Sequence, residues 1–221
     1  MVTRTALLVV AKSPVPGRVK TRLCPPATHA EAARIAAASL LDTMDAVRRT
    51  ERSRPVVALA GDLDAGVDAA ALRTALRGWT VLGQRGDGFP ARLAAAHADT
   101  AAAHPGLPVV QIGMDTPQVT PELLAEACAA LDGADEALGL AEDGSWWVIG
   151  FRDPAAARLL ASVPTSRPDT GTRTLAALRA AGLRVALLPE LTDVDTMDDA
   201  LRVADEAPWT RFASVLPAAH R

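Results

Sequence analysis

Residues 6–23 read ALLVVAKSPVPGRVKTRL. The apolar run Ala6–Ala11 has strand length, and it stops where Lys12 and Pro14 begin a turn. Four cations, Lys12, Arg18, Lys20 and Arg22, then fall within eleven residues. Pro14, Pro16 and Gly17 stiffen the turn and let backbone approach a ligand. Lysine and arginine neutralise phosphate oxygens, arginine in bidentate fashion. A loop of this charge is either solvated surface or a phosphate cradle. Its place directly after the first strand of an α/β sheet favours the cradle. The glycine spacings of the P-loop and of the dinucleotide fingerprint are absent. Lys12, Pro16, Gly17, Arg18, Lys20 and Arg22 are therefore the nucleotide-binding candidates, with Lys20 and Arg22 placed nearest the chemistry.

Working outward, short apolar runs alternate with longer helical patterns. Val56–Ala60, Trp79–Leu82, Val109–Ile112, Ala137–Leu140, Trp146–Phe151 and Val185–Leu188 read as further strands. Thr28 and Glu31 form a capping box that opens an alanine-rich helix running to about Arg48. Thr120-Pro121 starts a helix that Gly133 stops, and Gly182 follows a helix over Thr172–Ala181. Thr196 and Asp199 suggest another capping box. This alternation predicts a three-layer α/β/α sandwich on a mostly parallel, doubly wound sheet. Glu142-Asp143-Gly144-Ser145 joins two of the strands and predicts a hairpin inserted into that pattern. Residues 1–207 read as one domain. The stretch 208–221 has no clear pattern and reads as a tail that packs on the surface or frays.

Composition narrows the function classes. The chain has 221 residues, net charge −3, 3% aromatic content and no tyrosine. It lacks the basic field that recruits nucleic acid or anionic membrane, and the aromatic platforms that stack single strands. No run approaches a membrane span, and the opening apolar run is too short for an export signal. Cys24 and Cys128 lack metal-ligand spacing and read as reduced thiols, which places the protein in the cytoplasm. The partners expected are a small-molecule nucleotide and a small acceptor. Monomer and homodimer both stay open.

Asp115 follows the strand Val109–Ile112, so its carboxylate emerges at the strand's carboxyl end. Hard oxygens there suit Mg²⁺ (or Mn²⁺), which takes one or two carboxylates plus substrate phosphates. The competing reading is a turn residue before Thr116-Pro117. Asp193 would point away from Asp195 in an extended segment and so support rather than ligate. Trp146 and Trp147 alternate across a strand, so one packs in the core and the other is free to cover a sugar or base. His29, His97, His104 and His220 have no partner at metal spacing and read as structural or solvated. No serine, histidine and aspartate form a nucleophile motif.

The string K-x-P-x-P-G-x-V-K-T-R-L, at 12–23, resembles the first motif of a widespread bacterial family of GT-A fold. Its members are commonly called nucleotide-diphospho-sugar transferases or glycosyltransferases. Gly113-Met114-Asp115-Thr116-Pro117 is similar to the family's G-x-D-x-P motif, and 142–150 to its D-G-G-Y-x-L-I-G motif. Asp193-Val194-Asp195-Thr196-Met197-Asp198-Asp199 resembles D-V-D-T-x-x-D. Gln84 and Gly86, with Arg92 and Leu93, resemble a weaker glycine-rich pattern. The matches keep their order over nearly the whole chain. More distantly, the layout is similar to molybdenum-cofactor and phospholactate guanylyltransferases and to sugar-acid cytidylyltransferases.

The resemblance implies a GT-A fold, Gln84 and Gly86 on the nucleotide, and Asp195 as second metal ligand beside Asp115. It places Asp143, Gly144, Trp146 and Trp147 at the acceptor. Three departures touch the acceptor side: Phe89-Pro90 in the glycine-rich loop, Ser145 in place of glycine, and Thr165-Ser166-Arg167 where many members carry tryptophan. The segment 167–172 offers an arginine and a helix start to an anionic acceptor, or is a plain surface loop.

The leading expectation is metal-dependent nucleotidyl transfer from an NTP to a small phosphorylated or anionic acceptor. The dense cationic loop suits a departing pyrophosphate. Glycosyl transfer from a nucleotide-diphospho-sugar is the alternative, although the strand 109–112 is followed by one carboxylate rather than a D-x-D pair. A non-catalytic nucleotide-binding regulator is a third reading, which holds if Asp115 and Asp195 do not converge.

Overall fold

The computed structural model describes residues 4–216. Seven strands form one sheet: β1 (Thr5–Lys12), β2 (Ser53–Ala60), β3 (Thr80–Gly83), β4 (Val109–Ile112), β5 (Glu136–Ala141), β6 (Trp146–Phe151) and β7 (Val185–Leu191). Their order is β3-β2-β1-β4-β6-β5-β7. β1 pairs in parallel with β2 and β4, and β2 with β3. β6 runs antiparallel to both β4 and β5, while β7 is parallel to β5. The expected hairpin is present, but β6 lies between β4 and β5 in the body of the sheet. Because β6 alone is reversed, β1, β4, β5 and β7 all send their carboxyl ends to the same edge.

Period-two alternation in β1 splits the core. Leu7, Val9 and Ala11 pack on one face with Leu40, Met44 and Val47 of helix α1 (His29–Arg49). Helices α2 (Ala69–Ala75) and α4 (Pro121–Gly133) complete that layer through Leu72 and Leu124. Ala6, Leu8 and Val10 face the other layer. It comprises α3 (Phe89–Ala103), a 3-10 segment at Pro154–Ser162 and α5 (Thr170–Ala180). The three-layer α/β/α sandwich is thus observed. Both predicted capping boxes form, at Thr28 with Glu31 and at Thr196 with Asp199, the latter opening α6 (Met197–Glu206).

Three expectations change. The stretch after Pro208 is not patternless: Thr210 caps α7 (Arg211–Val215), and Phe212 is fully buried among Ile35 of α1 and Val203 of α6. Asp42 fixes this turn by accepting from the backbone N–H of Arg211 and Phe212 at 3.1 and 2.8 Å. One aromatic side chain with a long-range pocket leaves no periodic signal, so sequence pattern missed it. Phe89-Pro90 is not a loop wall but the first turn of α3, after Gly88 at φ 82°. β7 continues past Leu188 through Pro189, at the sheet edge where proline is tolerated. The remainder of the tail, His220 included, lies outside the described residues. No helix among them is long and apolar enough to cross a membrane.

Candidate functional site

Strand order reverses between β1 and β4, since β2 and β3 extend from β1 one way and β4 the other. Ligands of open α/β sheets bind beyond the carboxyl ends at such a point. The loops after these two strands are physically joined there. The backbone N–H of Lys12 points at the Met114 sulfur (3.3 Å), and Ser39 of α1 donates to the Met114 carbonyl at 2.6 Å. The cationic loop closes on itself as Lys12 Nζ donates to the Arg18 carbonyl at 2.7 Å. Ser13 anchors it to β2's end by donating to the Asp62 carbonyl at 2.6 Å. Pro16, Gly17 and Arg18 form the exposed crest.

Lys20 turns inward. Its backbone is left-handed (φ 47°, ψ 39°), a conformation that costs a side-chain-bearing residue about 1–2 kcal/mol. That turn buries the ammonium, 10% exposed as a side chain, against Asp115 Oδ1 at 2.5 Å. The same nitrogen donates to the Val194 carbonyl at 2.5 Å and reaches Asp195 Oδ1 at 3.4 Å. Arg22 holds the other oxygen, Asp195 Oδ2, at 3.0 Å. Burial alone would pull the Lys20 pKa down, but Asp115 and then Asp195 outweigh it and hold it above its ordinary value. Asp115 and Asp195 therefore converge on one cationic centre. The Val194 N–H to Asp115 carbonyl bond (2.9 Å) ties their two segments together. Asp195 is fixed further by Asp199, whose carboxylate accepts the backbone N–H of Thr196 at 2.8 Å.

Asp193 does not turn away as an extended segment would require. β7 ends at Leu191, and the irregular backbone after it brings the Asp193 carboxyl in, where it accepts from Ser145 Oγ at 3.3 Å. Its pKa is pushed up to about 7, first by burial and then by the charges of Asp115 and Asp143. Ser145, a departure from the resembled motif, thus links the hairpin to the aspartate segment. Asp143 itself stays exposed and accepts the Ser145 N–H at 2.8 Å. The hairpin tip is pressed against the start of α5, with the Gly171 N–H donating to the Gly144 carbonyl at 2.7 Å. A side chain at Gly144 would collide with the Pro168 carbonyl.

Among the other expected site residues, Trp147 falls elsewhere. Trp147 belongs to the core: it is 2% exposed and donates its indole N–H to the Pro189 carbonyl at 2.9 Å. Its place at the acceptor is withdrawn, because strand parity turns it toward α4's face. Trp146 is half-buried against the opposite core. Gln84 braces the ends of β1 and β2, its amide donating to the Ala11 and Ala58 carbonyls at 2.9 Å each. Gly86 sits at φ 119°, and a β-carbon there would crowd Ala91 in the first turn of α3. His97 is buried edge-on to Phe151, His104 pairs with Thr80, and His29 is exposed.

The oxygens gathered around the Lys20 ammonium are hard, anionic or carbonyl donors, which fit a magnesium or manganese ion. Asp115 and Asp195 are the residues that would hold it. Among the described residues no cluster of three or more histidine, cysteine or acidic side chains forms a complete protein cage. An ion held by two carboxylates would complete its shell with substrate and water.

Comparison with known structures agrees with the fold. A protein of Desulfovibrio desulfuricans G20, provisionally assigned as a nucleotide-diphospho-sugar transferase, is 26% identical, with a TM-score of 0.82 over 97% of this chain and 94% of that one. A cytidylyltransferase of Leptospira borgpetersenii is 12% identical, with a TM-score of 0.60 over 97% and 92%. Rv0371c of Mycobacterium tuberculosis H37Rv, in complex with manganese, is 23% identical, with a TM-score of 0.54 over 91% and 98%. No curated protein matches at the sequence level. Two of these neighbours are thus assigned as transferases, one of sugar and one of nucleotidyl type. Residues 43–167, more than half of the chain, match the profile described as "Uncharacterized protein conserved in bacteria (DUF2064)", and the chain belongs to that family.

Proposed function

We propose that the protein is a metal-dependent nucleotidyltransferase, moving a nucleotidyl group from an NTP to a small phosphorylated or anionic acceptor. The observation that carries this reading is the convergence of Asp115 and Asp195 on one cation centre beneath the cationic loop. A regulator that only bound nucleotide would have no use for such a centre. Arg18 and Arg22 on the loop would take the departing pyrophosphate, and Lys20 would stabilise charge on the transferred phosphate. A divalent ion at Asp115 and Asp195 supplies charge neutralisation at that phosphate. An acceptor that is already a phosphate or carboxylate needs no protein base. Arg167, exposed beside the hairpin tip, offers it a cation.

Glycosyl transfer is the second reading, favoured by the Desulfovibrio relative's assignment. Thermal melts with the four NTPs and common nucleotide sugars, with and without Mg²⁺, separate the two. A true ligand raises the melting temperature with saturation. Stabilisation by an NTP with Mg²⁺ but by no nucleotide sugar supports nucleotidyl transfer. The reverse pattern replaces it, and no response to any ligand removes both.

A further inference from the structure

Lysine's ammonium has three N–H donors, and Lys20 aims them at Asp115 Oδ1, the Val194 carbonyl and Asp195 Oδ1, at 2.5, 2.5 and 3.4 Å. These are the oxygens a divalent ion would need. With all three donors engaged, the ammonium has none left for a phosphate. We infer that Lys20 is the resident cation of the aspartate pair, so that a divalent ion enters only as nucleotide phosphates draw the ammonium away. This rests on the nucleotidyltransferase reading of the same site.

Two features support an exchange of cations over simultaneous occupancy. A divalent ion placed on the oxygens that Lys20 contacts would stand within contact distance of a buried like charge, where low polarity magnifies repulsion. The ammonium also has somewhere to go. Its loop carries exposed Arg18 and Arg22, two residues to either side of Lys20, with the Arg22 side chain 72% exposed, so an arriving polyphosphate meets cations flanking Lys20. Phosphate would then replace the two carboxylates as the lysine's partner, and the carboxylates would become free for the ion. By linkage, nucleotide strengthens metal binding by the same factor that metal strengthens nucleotide binding. Without nucleotide, Lys20, together with Arg22 on Asp195, keeps the aspartates neutralised and the ion out.

The test is Mn²⁺ binding without nucleotide, followed by electron paramagnetic resonance, in the wild type, Lys20→Met and Lys20→Gln. The wild type should bind Mn²⁺ only weakly, and both variants about tenfold tighter or more, a gain that Asp115→Asn abolishes. Equal Mn²⁺ affinity in wild type and variants overturns the inference while leaving the nucleotidyltransferase reading intact. Failure of all of them to take Mn²⁺, even with an NTP present, removes the metal site and both proposals. A wild-type measurement covers the case in which neither variant folds. The Lys20 ammonium resonance should persist in excess Mg²⁺ and shift only when an NTP is added. Its displacement by Mg²⁺ alone overturns the exchange.

Discussion

At the carboxyl ends of the strands, the buried Lys20 ammonium meets Asp115 and Asp195, and it stays charged with a pKa above the usual lysine value. On the sheet face that carries Leu138, Glu136 is 1% exposed, but neither of its carboxyl oxygens has a hydrogen-bond partner. Its pKa is pushed up to about 9, by burial first and then by Asp135 and Asp153. Nearby in the same layer, burial pulls His97 down to about 3, against a weaker opposing effect of Gln111. Both therefore sit neutral at pH 7. Burial disfavours charge everywhere, and only a specific counter-charge reverses that. Lys20 has opposite charges beside it at the sheet edge, whereas the charges that act on Glu136 are like ones, which marks the Lys20 site as a place where charge is used.

The largest expected effect breaks the edge cluster from its acidic side. Asp115→Asn should fold like the wild type yet lose about a hundredfold or more of transferase activity, since a transition-state contact disappears. Full activity in a folded Asp115→Asn, measured by pyrophosphate release, would exclude Asp115 as a ligand. Next, Lys20→Ala and Arg22→Ala should weaken triphosphate binding by roughly ten- to hundredfold, as charge-assisted contacts are worth about 1.5–3 kcal/mol. Arg22→Ala should cost less for a monophosphate, which lacks the outer phosphates. Calorimetry showing small, equal losses for mono-, di- and triphosphate would reduce these cations to solvated charge.

The neutral layer predicts a stability effect of definite sign. Glu136 binds its proton more tightly folded than unfolded, with a pKa raised from 4.5 to about 9. Its contribution is therefore most favourable below pH 4.5 and is lost progressively as pH climbs toward 9, by at most about 1.4 kcal/mol per pH unit. Glu136→Gln should flatten that slope and raise the urea midpoint at pH 8, with nucleotide affinity unchanged. A slope identical to the wild type's would mean that Glu136 is ionised in the fold. The smallest effect concerns Trp147→Phe, which loses the bond to Pro189 and should destabilise by about 1 kcal/mol. Any selective rise in acceptor KM in that variant would return Trp147 to the acceptor site.

The sequence by itself determined the elements and the loop that matters. The apolar run Ala6–Ala11, the cations packed after it and the two capping boxes are local signals, each carried by a few consecutive residues. The ordered motifs resembling a GT-A family point to the same edge, and by that resemblance they place Asp115 and Asp195 together. Tertiary structure alone decided the rest. Lys20 lies between the two aspartates only because its left-handed backbone turns it under the loop crest. Asp193 joins the cluster because β7 has ended before it, so strand alternation no longer governs its direction. Trp147 rather than Trp146 fills the core beside α4 because the pairing of β6 with β4 and β5 fixes which face each presents. Phe212 finds its pocket between α6, its near neighbour in the chain, and α1, more than a hundred residues away. Periodicity reads what neighbours in sequence do to one another. Which distant groups become neighbours in space is set by sheet order and by where each strand stops.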